Sequence, residues 1–414
     1  MTVAIDCAGR IAYLWDAFEK KNAFTDGWRY MKTLRFGIIG CGMMGREFAS
    51  AAARWFHLPG MAVRPEIVAI CRRNLSPENV HWFRDNIPTI KQVTDDFREL
   101  LDNPDVEAVY ISVPHNLHQR FYCAALEAGK HVMGEKPFGI DKRASDAIVA
   151  CAGKHPDLFV RCSSQFMFFP AVQRIGRMIE AGAFGTIIEV KAGFLHCSDL
   201  DPAKPINWKR MVEYNGEYGC MGDLGPHVCS VPFRAGWVPV NVRAVLSNIM
   251  PERPDSDGRM VPCRTWDNAT LLCEARDSRS GDIFPLTLRT QRICPGRKND
   301  WYLEILGTKA CAKFSTTDAN TLGVLEYTGG EQRWQKIAMG QEVPFESITH
   351  GIFQFGVSDA ILQMWAGFLY EFDKGRSLTG FSGTVTVQET TLWHQLFTAA
   401  LESHRTGSVV TVSS

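Results

Sequence analysis

A short apolar strand that runs straight into a glycine-spaced turn, Phe36-Gly-Ile-Ile-Gly-Cys-Gly-Met-Met-Gly-Arg-Glu-Phe48, constrains this chain more than any other stretch. Gly40, Gly42 and Gly45 stand in G-x-G-x-x-G order, and residues 44 to about 56 read as helix. In that setting each glycine has a task. Gly40 permits the tight turn off the strand, Gly42 lets backbone approach a pyrophosphate, and Gly45 lets the helix pack close to the sheet. The amides at the helix start, around Met43 and Met44, face the phosphate charge. A P-loop is excluded, because Gly45 is followed by Arg46-Glu47 instead of Lys and Ser/Thr.

The surrounding pattern supports a nucleotide domain. From residue 33 to about 162, apolar runs at 34–39, 66–71, 106–113, 131–133 and 158–162 alternate with helical patterns near 44–56, 77–85, 95–102, 117–128 and 141–154. Strand and helix in regular succession predict a doubly wound parallel sheet, an α/β Rossmann fold. After residue 162 the texture changes. A helix at 170–181 precedes long strand candidates at 186–196, 240–249, 270–275, 283–290, 301–306 and 312–314, with helices near 356–373 and 384–404 at the end. That predicts an α+β domain on a large, mostly antiparallel open sheet, with 250–264 as a surface loop. The domain limits read as a leader at 1–32, a dinucleotide-binding domain at 33–160 and a substrate-binding and oligomerisation domain at 161–414. In the leader, Ile11, Leu14, Trp15 and Phe18 fall at helical spacing.

At 414 residues, two domains fit better than one core. Acidic and basic residues number 45 each, so no broad basic field is available for nucleic acid or an anionic membrane. No run reaches bilayer length, and thirteen scattered cysteines suit a reducing compartment, which makes cytoplasmic residence the expectation. His115 with His118, and Cys220 with His227 and Cys229, lack the spacing of a metal site, and no metal is expected.

The choice of dinucleotide turns on the end of the second strand. An NAD-binding domain of this kind carries a carboxylate there for the ribose 2′-hydroxyl. This chain has Cys71-Arg72-Arg73-Asn74. Arg72 and Arg73 offer forked donors suited to a 2′-phosphate, which leans the expectation to NADP(H) with NAD(H) open. The alternative is that both arginines simply cover a solvated turn.

Two further motifs carry chemistry. Gly134-Glu-Lys-Pro137 directly follows the strand at 131–133, and strand C-terminal ends face the ligand crevice in an open parallel sheet, so Lys136 belongs at the cofactor. In Gly219-Cys-Met-Gly-Asp223-Leu-Gly-Pro-His227, Asp223 and His227 share one helix face at i and i+4. Oxidising a secondary alcohol needs a base for the hydroxyl proton and a cation for the developing alkoxide. Taken alone, Asp223 and His227 also fit a helix cap and a satisfied core histidine. Trp208-Lys-Arg210 and Tyr214 are candidates to stack on a sugar ring, or to form a packed loop.

With these motifs in place, the chain from about residue 34 onward resembles the glucose–fructose oxidoreductase, inositol dehydrogenase and rhizopine catabolism family, written Gfo/Idh/MocA. Besides the glycine turn, the resemblance rests on Val109-Tyr-Ile-Ser-Val-Pro-His-Asn-Leu-His118, on Ala125-Leu-Glu-Ala-Gly-Lys-His-Val-Met-Gly-Glu-Lys-Pro137, on Ile179-Glu-Ala-Gly-Ala-Phe-Gly-Thr-Ile187 and on the D-x-G-x-H at 223–227. It implies hydride transfer between a nicotinamide and a hydroxyl-bearing carbon of a sugar, inositol or related ring, in a homodimer or homotetramer built through the C-terminal sheet. It implies Lys136 as binder of the reacting oxygen, His227 as acid/base and Asp223 as orienting carboxylate. It also implies Val113, Pro114, Asn116 and His118 as the loop over the nucleotide, with Glu135 near the nicotinamide.

Three departures limit the transfer. Gln165-Phe-Met-Phe-Phe-Pro170 lacks the arginine often found in that segment, so the polar contact to the cofactor there is either missing or supplied by Gln165. Cys229-Ser230 stands where an acidic residue often follows the histidine, and the carboxylate of the second strand is absent. A redox-neutral glycosidase, lyase or epimerase, with tightly bound NAD oxidising a ring carbon transiently, would use the same residues. A silent dinucleotide-binding regulator has no chemical need for Lys136, Asp223 and His227 together.

Overall fold

The computed structural model describes residues 31–340 and 342–413; the expected leader helix with Ile11, Leu14, Trp15 and Phe18 lies outside the described residues. The first sheet is built from β1 (Lys32–Ile39), β2 (Val63–Cys71), β3 (Gln92–Thr94), β4 (Ala108–Ile111), β5 (His131–Gly134) and β6 (Val160–Cys162). Its order is β3-β2-β1-β4-β5-β6, and every neighbouring pair is parallel. Helices α1 (Met43–Ala53), α2 (Pro77–Asn86), α3 (Phe97–Leu101), α4 (His118–Glu127) and α5 (Lys142–Lys154) form the crossovers. Strand residues such as Ile38, Ile70, Val109 and Val132 are fully buried, as a sheet covered on both faces requires. Nothing in Gln92-Val-Thr94 announces a strand, since the three residues carry one apolar side chain; pairing with β2 makes it one.

The second half contributes α6 (Pro170–Glu180), β7 (Ile187–Leu195), α7 (Val212–Asn215), α8 (Cys220–Arg234), β8 (Trp237–Ser247), β9 (Glu252–Pro254), β10 (Met260–Pro262), β11 (Asn268–Asp277), β12 (Ile283–Gln291), β13 (Asp300–Gly307), β14 (Ala310–Ser315), β15 (Thr321–Glu326) and β16 (Gln335–Ala338). Then follow α9 (Val357–Lys374), α10 (Val387–Thr406) and β17 (Val410–Thr411). Nine strands form one sheet in the order β16-β15-β14-β13-β7-β12-β11-β8-β17. Only β7 and β12 pair in parallel in it. Along β11 exposure alternates residue by residue, so one face is packed and the other open. The expected loop at 250–264 contains the small hairpin β9–β10. Strands β15 and β16 follow in a stretch where polar and glycine residues mask the alternation.

Two tertiary features position the site. Helix α9, late in the chain, packs on the first sheet: Trp365 stacks on Phe48 at 3.8 Å between ring centroids and meets Phe36 and Tyr110 edge-on. Helices α8 and α10 then seat on the turn after β5. His394 hydrogen-bonds the Pro137 carbonyl at 2.8 Å, and the Tyr218 hydroxyl accepts from the Lys142 amide at 3.0 Å. The C-terminal ends of the parallel strands are thereby held against the start of α8.

Candidate active site

At the turn between β1 and α1, Gly40 has φ +102°, and a Cβ there would lie 2.2 Å from the Ser112 carbonyl oxygen. Only glycine fits such an approach. A Cβ on Gly45 would meet the Gly40 carbonyl at 2.6 Å, whereas one on Gly42 would enter open space. The start of α1 has no side-chain cap, Met43 is exposed and Met44 is half-buried. An open approach over Gly42, beside uncapped helix amides, fits the pyrophosphate of a dinucleotide.

At the end of β2 the two arginines part. Arg72 turns inward and donates to the Cys41 carbonyl (3.2 Å), the Asn79 carbonyl (3.3 Å) and Asn79 Oδ1 (2.5 Å). Arg73 is exposed, with no polar partner among the described residues. After β4, Val113, Pro114 and Asn116 stand half-buried at the strand end. His118, expected at the cofactor, has no accessible surface here. Its Nε2 bonds the Val113 carbonyl at 3.0 Å, its Nδ1 accepts from the Gly139 amide at 3.3 Å, and its ring stacks on Tyr122. Position four before Tyr122 on α4 turns it into the core, where it braces the loop from behind.

Beyond β5, the buried Glu135 carboxylate accepts from the Tyr110 hydroxyl at 2.7 Å, and the Tyr122 hydroxyl donates to the Glu135 carbonyl at 2.7 Å. The next residue, Lys136, precedes a cis peptide to Pro137 and sends its ammonium to α8. There Nζ donates to Asp223 Oδ1 at 2.7 Å and to the Asp223 carbonyl at 2.6 Å. Burial pulls the Lys136 ammonium down to about 8, and Arg292 acts in the same direction against Glu135. Gln165, at the head of a short helical turn over Gln165–Phe168, is half-buried.

One turn along α8 from Asp223 lies His227, buried, its ring met edge-on by Phe166 and Phe194. Its Nδ1 has no hydrogen-bond partner among the described residues. Burial drives the imidazole well below the usual histidine range, and the Lys136 and Lys209 charges push the same way. The ring is therefore neutral at physiological pH and able to take a proton.

Asp223 gathers more charge than its motif announces. Lys209 Nζ lies 3.1 Å from Oδ1 and 3.2 Å from Oδ2, and the Arg292 guanidinium pairs with the same carboxylate. Behind Arg292, Asp199 also takes Lys204 at 2.8 Å, and the buried Arg210 pairs with Asp267. Arg292 left a signal in the sequence: it continues the inward phase of Leu286, Leu288 and Thr290 on β12, where an arginine is out of place. Asp199, in an irregular loop, left none. Trp208 is half-buried and edge-on to His115 at 5.1 Å, while Tyr214 points more outward at 39% exposure. No group of three His, Cys, Asp or Glu among the described residues could hold a metal ion.

Comparison with known proteins places the chain in a family. Residues 34–161 match a family described as "Oxidoreductase family, NAD-binding Rossmann fold", and residues 172–313 match the "GFO/IDH/MocA C-terminal domain". A levoglucosan dehydrogenase of Pseudarthrobacter phenanthrenivorans is 31% identical over 302 residues, covering 69% of this chain and 74% of its own. The trans-1,2-dihydrobenzene-1,2-diol dehydrogenase of Sus scrofa is 29% identical, covering 58% and 64%. Among solved structures, levoglucosan dehydrogenase in complex with NADH and L-sorbose superposes with a TM-score of 0.80 over 92% of this chain and 100% of that one. At 24% identity that likeness speaks for the fold.

Proposed function

The chain belongs to the Gfo/Idh/MocA family of oxidoreductases with an NAD-binding Rossmann domain, and from that premise we propose that it is an NAD(P)-dependent dehydrogenase of a sugar, inositol or related cyclic polyol. One observation carries the reading. The ammonium of Lys136, at the end of a parallel strand, is held by Asp223, and one turn along the same helix His227 carries a buried imidazole whose Nδ1 has no partner among the described residues. Two of its relatives are named as dehydrogenases of levoglucosan and of trans-1,2-dihydrobenzene-1,2-diol, which supports the substrate class.

When bound, the nicotinamide supplies the hydride acceptor or donor. The rest is work for this chain. In the oxidising direction neutral His227 takes the hydroxyl proton, and Lys136 stabilises the negative charge growing on oxygen. Asp223 fixes the Lys136 ammonium at two points and keeps it turned to the crevice. Trp208 borders the same space and offers an apolar ring face.

Glycine spacing, Val113, Pro114, Asn116, Glu135 and Gln165 are assigned to the nucleotide. The missing carboxylate after β2 favours NADP(H): Arg73 is the exposed guanidinium for a 2′-phosphate, and Arg72 the strut that shapes the turn. The open face of the nine-stranded sheet is assigned to self-association in a homodimer or homotetramer. None of the cysteines among the described residues is in a disulfide, in keeping with a cytoplasmic enzyme, and no helix among them is long and apolar enough to cross a membrane.

The test is turnover of a panel of sugars, inositols and glycosides with each nicotinamide, following both absorbance and product mass. Stoichiometric absorbance change is expected, with tighter binding of NADPH than NADH. Product formed without net absorbance change would replace the dehydrogenase with a redox-neutral enzyme, and tighter NADH binding would remove the role given to Arg73.

A further inference from the structure

We propose that the substrate of this enzyme is a sugar or polyol bearing an anionic substituent, a carboxylate or a phosphate, and that Lys209 is the residue that binds it. The inference deepens the dehydrogenase reading and rests on it for the location of the substrate.

The argument begins with charge. Three cations, Lys136, Lys209 and Arg292, converge on the one carboxylate of Asp223. The neighbouring carboxylates are already engaged. Asp199 is shared between Lys204, Arg292 and Arg210, and Asp267 pairs with Arg210. Glu135 accepts from Tyr110. Arg253, buried beside this group, has backbone carbonyls of 199, 201 and 204 as its partners and no carboxylate. Cations therefore outnumber carboxylates around the site, among the described residues. An uncompensated positive charge in a low-dielectric site is costly, and an oxidised nicotinamide would add one more.

Position then singles out Lys209. The Lys136 side chain keeps 13% of its exposure and Arg292 4%, whereas Lys209 keeps 35% although protein crowds it from several sides. It is thus the cation of the three that an incoming group can reach. The side chain is delivered there by a short turn: Asn207 caps Trp208–Arg210 through its side chain, and Thr265 donates to the Lys209 carbonyl at 3.4 Å. Its ammonium lies 5.7 Å from the Trp208 ring centroid. An apolar ring face against Trp208 and an anion on Lys209 would hold one ligand at two points beside Lys136 and His227. Burial with Arg292 and Lys136 penalises the Lys209 charge, and a bound anion relieves that penalty.

The experiment is equilibrium binding of matched neutral and anionic sugars to the nucleotide-loaded enzyme, read by nicotinamide fluorescence. The probes are hexoses of several stereochemistries with their uronates and 6-phosphates. Within each ligating stereochemistry the anionic member is expected to bind at least about tenfold tighter, the size of a charge-assisted contact. Uronate and phosphate arms identify which anion is preferred. Lys209→Gln should erase the preference and Lys209→Arg should keep it. Equal or tighter binding of the neutral sugars overturns the proposal, as does a preference that survives Lys209→Gln, or no binding of any anionic sugar at millimolar concentration. Failure of the dehydrogenase reading is separate: anionic sugars would then bind with the Lys209 dependence yet give no net absorbance change.

Discussion

At Lys136, the proposed stabiliser of the reacting oxygen, the environment is strongly conflicted. Burial and Arg292 push the ammonium toward neutrality, to about 8, while Asp223 accepts two hydrogen bonds from it and holds it in place. Since the charged form is the one that stabilises an alkoxide, turnover should fall as pH rises through about 8. Lys136→Ala should lower turnover by roughly 10²-fold, the scale of a lost electrostatic stabiliser, in a protein that still melts cooperatively. His227 lies on the other side of the same logic: its ring is neutral well into the acid range, so His227→Ala should flatten the acid side of the profile. A pH–rate profile of wild type and both variants decides these roles, and an unchanged profile in His227→Ala would move proton transfer elsewhere. The three motif residues were legible because E-K-P and D-x-G-x-H keep them in local register. Arg292 showed only as an arginine in an inward phase and Lys209 not at all, because their convergence on Asp223, from just beyond β12 and from a short turn, is a tertiary feature.

Elements show where local patterns suffice and where partners intervene. Strands of the first sheet other than β3 announce themselves as apolar runs, and α5 begins where Asp141 accepts from the Ala144 amide. Helix α9 announces itself too, but its partner does not. It is apolar nearly all round, with Trp365, Phe368 and Leu369 fully buried, because it is enclosed by the first sheet and by the segment at 165–168. Trp365 fills the space between Phe36, Phe48 and Tyr110, the residues beneath the nucleotide turn. Trp365→Ala should therefore cost about 3–5 kcal/mol, measured by urea denaturation, and weaken nucleotide binding through the loosened β1–α1 unit. A loss under about 1 kcal/mol would show that α9 is not integral to that half.

On the scale of the whole molecule, buried histidines tie the two halves together and brace the first from within. His115 bonds the Asn215 carbonyl and His394 the Pro137 carbonyl across the halves, His118 bonds the Val113 carbonyl inside the first, and burial lowers all three: His118 to about 3, His394 to about 4, His115 well below 6.5. In the unfolded chain each recovers a value near 6.5. Below that pH the unfolded state binds protons that the folded state refuses, so stability present at neutral pH drains away as pH falls from about 6.5 toward 4. The urea midpoint should be clearly lower at pH 5 than at pH 7.5. A midpoint that holds constant over that range would mean that these rings are less enclosed than the fold shows.

Sequence alone determined the Rossmann strand–turn–helix, the parallel sheet, the existence of a second open sheet and the family motifs, because each depends on residues a few positions apart. Tertiary structure alone decided that α9 returns to the first sheet, that His118 braces a loop from within, and that Arg72 is spent on Asn79. It also decided that Lys136, Lys209 and Arg292 meet at Asp223. Those outcomes turn on packing between segments tens to hundreds of residues apart, and no local pattern encodes the point in space where such side chains converge.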